Sequence, residues 1–256
     1  MSLDAQWLIG ILALFVRSSA MLLVSPIFGG TVTPRLRVLF AAVLAMSLAP
    51  TMHEVLPSVP ETLHDLASLV LTEVAIGALI GFTIQLFLLA AEAAGSILDI
   101  QLGFGSMQLL NPNTQAMSSV LGNFKMMLGT LLFFMFDGHL MMIQAFIESY
   151  RLAPQLDQES YARIIESLLQ FLSSLSLLSL QIAAPVACAA LLVDLAASIV
   201  NKAIPQMQVF FLTAGIKPAV GVLVMASTLP LYASLMKVGT ERTMTQVGYI
   251  LQGVLR

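Results

Sequence analysis

The sequence is poor in charged and reactive side chains. Lys and Arg number 11, Asp and Glu 14 and His 3, and there is one Cys and one Trp in 256 residues. A single Cys188 excludes an intrachain disulfide, and its apolar surroundings predict a buried position. A net charge of −3 argues against nucleic acid as a partner, because nucleic-acid binding requires a basic patch.

Residue groups that carry chemistry are equally scarce. No nucleophile–base pair, zinc pattern or phosphate-binding loop is present, so we expect no catalysis, no cofactor and no bound metal. Two histidines lie near acidic residues, in His53-Glu54 and His64-Asp65. Their spacing matches no metal-ligand pattern, and we interpret them as solvated loop residues.

Hydrophobic residues are abundant, at 58% of the chain with a mean hydropathy of +0.93. A membrane-spanning helix needs about 20 apolar residues. Six stretches approach that length: 5–24, 36–56, 66–91, 120–147, 165–200 and 207–236. The second is interrupted by prolines, and the fifth is too long for one simple crossing. The pattern predicts an all-α integral membrane protein of long, partly broken helices.

These apolar runs contain residues that ordinary spans exclude: Arg17, Glu73, Pro185, Lys217 and Pro218. Such residues need protein or water around them. Basic residues in the loops are also divided almost evenly between the two sides of six alternating spans, five against four, counting Lys125 as a loop residue. We therefore expect a chain that depends on protein partners. Either the count of six spans is wrong, or the helices do not cross the bilayer in the ordinary way.

The third run carries small residues at helical spacing. Gly77 and Gly81 form a small-xxx-small face that lets two helix backbones approach closely. Further along the run, Glu92 and Asp99 are seven residues apart and share a helix face. A water-facing or subunit-facing role is favoured over a proton relay, because no His or Lys partner stands at helical spacing.

Two segments interrupt the regular pattern. Residues 103–117 are uncharged and broken by Gly and Pro, which fits either a surface loop or a loop that occupies a pore. Phe136-Asp137-Gly138-His139 lies inside the fourth run. Its Asp and His do not face one way on a helix, so a helix break around Gly138 or a buried polar contact is favoured over a catalytic pair.

Three separated blocks carry a family resemblance. The first is Arg17-Ser-Ser-Ala-Met-Leu-Leu-Val-Ser-Pro-Ile-Phe-Gly, followed by Thr33-Pro-Arg-Leu-Arg-Val. The second starts at Gly103-Phe-Gly, passes Asn111-Pro112 and ends at Asp137-Gly-His. The third is Pro205-Gln-Met-Gln-Val-Phe-Phe, followed by Lys217 and Gly221. Together they resemble the FliR/SctT family of export-gate proteins of flagellar and virulence type III secretion systems. The chain departs from the family pattern at Asn111, where an acidic residue is expected, and at Leu140, where a second His is expected.

The resemblance implies a noncatalytic, multi-pass subunit of the bacterial inner membrane and flagellar basal body. One copy would complete an assembly with FliP and FliQ homologues, opening a channel for unfolded export substrates, with an FlhB homologue as a further partner. Residues 1–147 would form a FliP-like part and 160–240 a FliQ-like helical hairpin, in contact with membrane lipid.

The residue pattern and the resemblance together assign candidate residues. A pore plug would comprise Gly103, Gly105, Met107, Gln108, Leu109, Leu110, Asn111, Pro112 and Met117. A cytoplasmic-mouth hairpin tip would comprise Pro205, Gln206, Gln208 and Phe210. Buried polar or assembly positions would be Arg17, Glu92, Asp137 and Lys217. Alternatives are a virulence injectisome subunit and, more distantly, a secondary transporter, although no internal repeat supports the latter.

Overall fold

The computed structural model describes residues 5–25, 33–52, 59–104, 119–151, 158–204 and 209–253. Within these ranges every regular element is an α-helix, which confirms the predicted all-α fold. The helices are α1 Ala5–Val24, α2 Pro34–Leu48, α3 Leu63–Leu102, α4 Val120–Met135, α5 Gly138–Arg151, α6 Gln158–Ala203, α7 Val209–Ser227 and α8 Leu229–Gly253.

Local signals explain where several helices begin. Thr62 and Asp65 cap α3 reciprocally, since each backbone N–H donates to the side-chain oxygen of the other at 3.1 Å. Pro34 opens α2, where its missing N–H costs nothing. Ser119 caps α4 by accepting a hydrogen bond from the Gly122 N–H at 2.7 Å.

Three helices contain stretches long and apolar enough to cross a membrane: Gln6–Val24, Leu63–Leu102 and Ile164–Ala203. The described residues give up to five spans if two bent helix pairs each count as one. In the described part of the apolar stretch 36–56, α2 has only 15 residues, fewer than a membrane span needs. In contrast, α6 has 46 residues and a length of about 69 Å, more than twice the thickness of a hydrocarbon core.

Two sharp breaks divide the apolar runs. Between α4 and α5 the chain bends by 68°, with Asp137 at φ 57°, which confirms the predicted break beside Gly138. The apolar stretch 207–236 is also broken, because α7 and α8 meet at a 58° bend. Thr228 lies at this bend, and Pro230 two residues later lacks the N–H that would continue α7.

The chain forms two compact units. The first comprises Met1–Phe87, Asp137–Leu172 and Glu241–Arg256, and the second comprises Leu88–Phe136 and Ser173–Thr240. Fully buried apolar side chains of the first unit include Leu14, Met21, Ile76, Ile80, Ile84 and Phe146. Those of the second include Leu88, Leu98, Phe133 and Met236.

Candidate functional site

A buried ion pair joins α1 to α3 in the first unit. Arg17 Nε lies 2.7 Å from Glu73 Oε2, and Arg17 Nη2 donates to Glu73 Oε1 at 3.1 Å. The two side chains are 3% and 5% exposed. This bidentate geometry is the arrangement in which a guanidinium best compensates the cost of burying a carboxylate.

Helix α5 completes the ion pair from a third direction. The Tyr150 hydroxyl donates to Glu73 Oε2 at 2.7 Å, while Arg17 Nη1 donates to Ser149 Oγ at 2.7 Å. The Arg17 guanidinium carbon also lies 3.6 Å from the centre of the Tyr150 ring. We call Arg17, Glu73, Ser149 and Tyr150 the arginine cluster. It fixes three helices that are distant in sequence, and it explains how charged residues are accommodated inside apolar runs.

The predicted small-residue face of α3 begins at Gly77, about one turn after Glu73, and is therefore next to the arginine cluster. A Cβ at Gly77 would overlap the Arg17 carbonyl oxygen, and one at Gly81 would overlap that of Met21. The backbones of α1 and α3 are therefore in direct contact at these two glycines, with no room for a side chain between them.

The second unit buries a cation in a different way. Lys125 of α4 is 2% exposed, and its Nζ lies 4.2 Å from the centre of the Tyr232 ring of α8. The Tyr232 hydroxyl donates to the Lys125 carbonyl oxygen at 2.7 Å. Counting Lys125 as a loop cation was wrong, because α4 extends over it.

Asp99 belongs to a second buried junction and is not water-facing, contrary to expectation. It is 6% exposed, and its carboxylate accepts hydrogen bonds from the Ser119 hydroxyl and from the Leu121 N–H. The carboxylate of one helix thus caps the amino terminus of another. Glu92, about two turns earlier on the same face of α3, is half-buried.

The remaining charged candidates lie closer to the surface. Lys217 Nζ contacts Asp194 Oδ1 at 2.7 Å, with side chains 18% and 44% exposed, so this pair links α7 to α6. Asp137 is exposed in this chain, which corrects the expectation of a buried position. The tight bend at Asp137 places its side chain outward. Its part in assembly stays a prediction.

Most of the predicted plug and tip lie outside the described residues. This applies to Gly105, Met107, Gln108, Leu109, Leu110, Asn111, Pro112, Met117, Pro205, Gln206 and Gln208. Gly103 is described and ends α3 at φ 82°, a left-handed conformation that suits glycine. Phe210 belongs to α7.

The other reactive residues do not form a site. Cys188 is exposed in this chain, so the prediction of a buried thiol is wrong here; it faces an apolar groove with Pro185 and Leu235. His64 and Asp65 are exposed, as interpreted from the sequence, but they lie in the first turn of α3 and not in a loop. His53 and Glu54 lie outside the described residues. Over the described ranges, no three His, Cys, Asp or Glu residues are grouped so that they could hold a metal ion.

Sequence reasoning missed the partners of the charged residues. No sequence pattern marked these partners, which are Ser149, Tyr150 and Tyr232. Each lies far along the chain from the residue that it contacts. One signal was available. Arg17 and Glu73 carry opposite charges inside two apolar runs, and each charge needs a partner of the opposite sign.

These features define an all-α membrane protein whose helices are joined by buried polar junctions. Its sequence matches the family model described as "Bacterial export proteins, family 1" over residues 8–243. The chain belongs to this family.

Relatives in three bacteria are named flagellar biosynthetic protein FliR. The one from Caulobacter vibrioides is 31% identical over 84% of this chain and 86% of its own length. That from Bacillus subtilis is 28% identical over 82% of each, and that from Escherichia coli is 27% identical over 89% of this chain and 88% of its own length. Family membership and these similarities support a component of a flagellar export apparatus.

Proposed function

We propose that this chain is a noncatalytic subunit of the flagellar type III export gate in the bacterial inner membrane. In this proposal, one copy completes a channel built with FliP and FliQ homologues, through which unfolded substrates pass. The observation that carries the proposal is the similarity to flagellar biosynthetic proteins over more than four fifths of the chain. The three relatives compared above are all named as flagellar proteins, which favours the flagellar system over the virulence-system alternative.

The burial of α6 supports a chain that requires partner subunits. Within its 40-residue apolar stretch Ile164–Ala203, only 22% of an 18-residue apolar portion is buried within the chain, against 56% of the corresponding portion of α3. At about 60 Å this stretch is twice as long as a bilayer core is thick, so lipid tails can cover only part of it. The remaining apolar surface needs other protein. If residues 1–147 form a FliP-like part and residues 160–240 a FliQ-like hairpin, the surfaces of this chain would match those of the FliP and FliQ homologues beside it.

Co-purification tests the assembly. The tagged chain, co-expressed with its FliP and FliQ homologues and extracted in a gentle detergent, should come out in a complex whose mass fits one copy of this chain and several of the others. The chain expressed alone should aggregate or give poor yield. A stable monomer or a symmetric homo-oligomer of this chain would contradict the proposal and favour a transporter.

We further propose that residues 103–117 plug the resting channel. The segment combines glycines for tight turns, apolar Met and Leu side chains that adapt their shape, and amides that satisfy backbone groups without burying a charge. Deleting 106–115 should raise ion or small-solute leakage in cells that produce the complete gate, with co-purification unchanged. Tight membranes with a normally assembled deletion variant would show that another subunit closes the channel.

The tip around Pro205–Phe210 is proposed to face the cytoplasmic mouth, where it would meet substrates or the FlhB homologue. Cysteine introduced at Gln206 or Gln208, in a chain lacking Cys188, should crosslink to FlhB or to a stalled substrate. Labelling of these cysteines only by reagents dissolved in lipid would contradict this placement.

A further inference from the structure

The junction at Asp99 connects the two ends of the segment that follows α3. Asp99 lies in the last turn of α3, three residues before Leu102. Its carboxylate accepts hydrogen bonds from the Ser119 hydroxyl and, at 3.2 Å, from the Leu121 N–H, at the start of α4. Ser119 Oγ in turn accepts from the Gly122 N–H at 2.7 Å. One buried side chain therefore holds the point where the chain leaves α3 to the point where it enters α4.

A backbone contact supports the same junction independently. A Cβ at Gly95 would overlap the backbone of Leu121 and Gly122. One at Gly122 would in turn overlap the side chains of Ser119 and Ser96. The two helices thus meet without side chains between them, beside the Asp99 cap. Neither helix can shift here without either opening a gap or leaving a buried carboxylate, the Leu121 N–H and the Ser119 hydroxyl unpaired.

We propose that Asp99 is a positioning residue that fastens the first turn of α4 to the last turn of α3, at rest and during export alike. The chain then leaves α3 and enters α4 at one fixed point. The proposal rests on the proposed function in one respect: it makes this fixed point the base of the proposed plug. Any rearrangement of the plug would occur between fixed ends, without separation of α3 from α4.

A leakage measurement tests the resting state. In the complete gate, Asp99→Ala should raise ion leakage several-fold while the partner subunits still co-purify. Asp99→Asn should leak less, because its amide oxygen can still accept from the Leu121 N–H. Ser119→Ala should also leak, whereas Ser96→Ala should not, because the Ser96 hydroxyl donates within its own helix to the Glu92 carbonyl oxygen. If membranes with the Asp99→Ala variant stay tight while those with the 106–115 deletion leak, the positioning role of Asp99 is overturned. The proposal that residues 103–117 plug the channel would then still stand.

A reversible crosslink tests the transporting state. The double variant Asp99→Cys, Ser119→Cys, in a chain carrying Cys188→Ser, replaces the hydrogen bond by a disulfide. We expect the disulfide to form in the assembled gate and substrate export to proceed at the same rate before and after reduction. Failure of the disulfide to form would overturn the proposal, as would export that stops on oxidation and returns on reduction. This result does not depend on the plug, because it reports only whether the two ends must separate.

Discussion

Among the residues whose burial is described, each of the two units buries one cation, but they stabilise it by different means. Arg17 in the first unit meets a carboxylate, a hydroxyl and an aromatic ring, and its guanidinium forms two hydrogen bonds to Glu73. Lys125 in the second unit lies over the ring of Tyr232, and the described residues place no carboxylate against its ammonium group. The difference fits the two side chains. A planar guanidinium can be saturated from several helices at once, whereas a flexible lysine can retain an aromatic contact alone.

This comparison predicts that the first unit is the more sensitive to loss of its cation. Removing one member of a saturated buried pair leaves the other charge uncompensated. Removing Lys125 leaves no known anion unpaired. The energetic consequences should therefore differ, although both side chains are almost fully buried.

The largest effect is expected for Arg17→Ala. The variant leaves the Glu73 carboxylate buried without its counter-ion, which should destabilise the chain by about 3–5 kcal/mol. The measurement is thermal unfolding of the detergent-solubilised gate, together with the yield of co-purified partners. As a control, Arg17→Met with Glu73→Leu removes both charges and should recover much of the stability. An Arg17→Ala variant as stable as the natural chain would show that the arginine cluster contributes nothing to the first unit.

The next effect concerns the close approach of α1 and α3. Gly77→Ala forces a methyl group against the Arg17 carbonyl oxygen and should cost about 1–3 kcal/mol. Gly248→Ala in α8 is the matched control from the same unit, because a Cβ there meets nothing within 4 Å. That control should be neutral or stabilising, since alanine favours a helix. Equal thermal stabilities for the two variants would contradict close backbone packing at Gly77.

Much of the fold followed from the sequence because long apolar runs leave few alternatives to helices. The break at Asp137-Gly138 and the need of Arg17 and Glu73 for protein partners were also predictable from local residues. The pairing of Arg17 with Tyr150 was not, since it depends on how α5 packs. The bend at Thr228 was missed although Pro230 marks it. The burial of Asp99 was missed because its partners, Ser119 and Leu121, lie beyond a long irregular segment.

A small effect is expected for Lys125→Met. The methionine side chain keeps most of the apolar volume and removes a buried charge whose contact with Tyr232 contributes about 0.5–2 kcal/mol. Because relief of the burial cost opposes that loss, stability should change by less than about 1 kcal/mol in either direction. Tyr232→Phe serves as a companion, removing the hydrogen bond to the Lys125 carbonyl but keeping the ring. A loss as large as that of Arg17→Ala would mean that Lys125 meets an anion supplied by a partner subunit.

The smallest effect is expected at the ion pair between Lys217 and Asp194. Asp194 is 44% exposed, and partly exposed pairs in water contribute about 0–1 kcal/mol. Lys217→Ala should therefore lower the melting temperature of the purified gate only slightly, and less so in high salt, because salt screens exposed charges. The exchange of both residues, Lys217→Asp with Asp194→Lys, is the control and should restore the natural value. A loss of several kcal/mol that does not respond to salt would contradict this expectation. It would place the pair against apolar protein or lipid in the assembled gate, and would make it a third buried junction comparable with the arginine cluster.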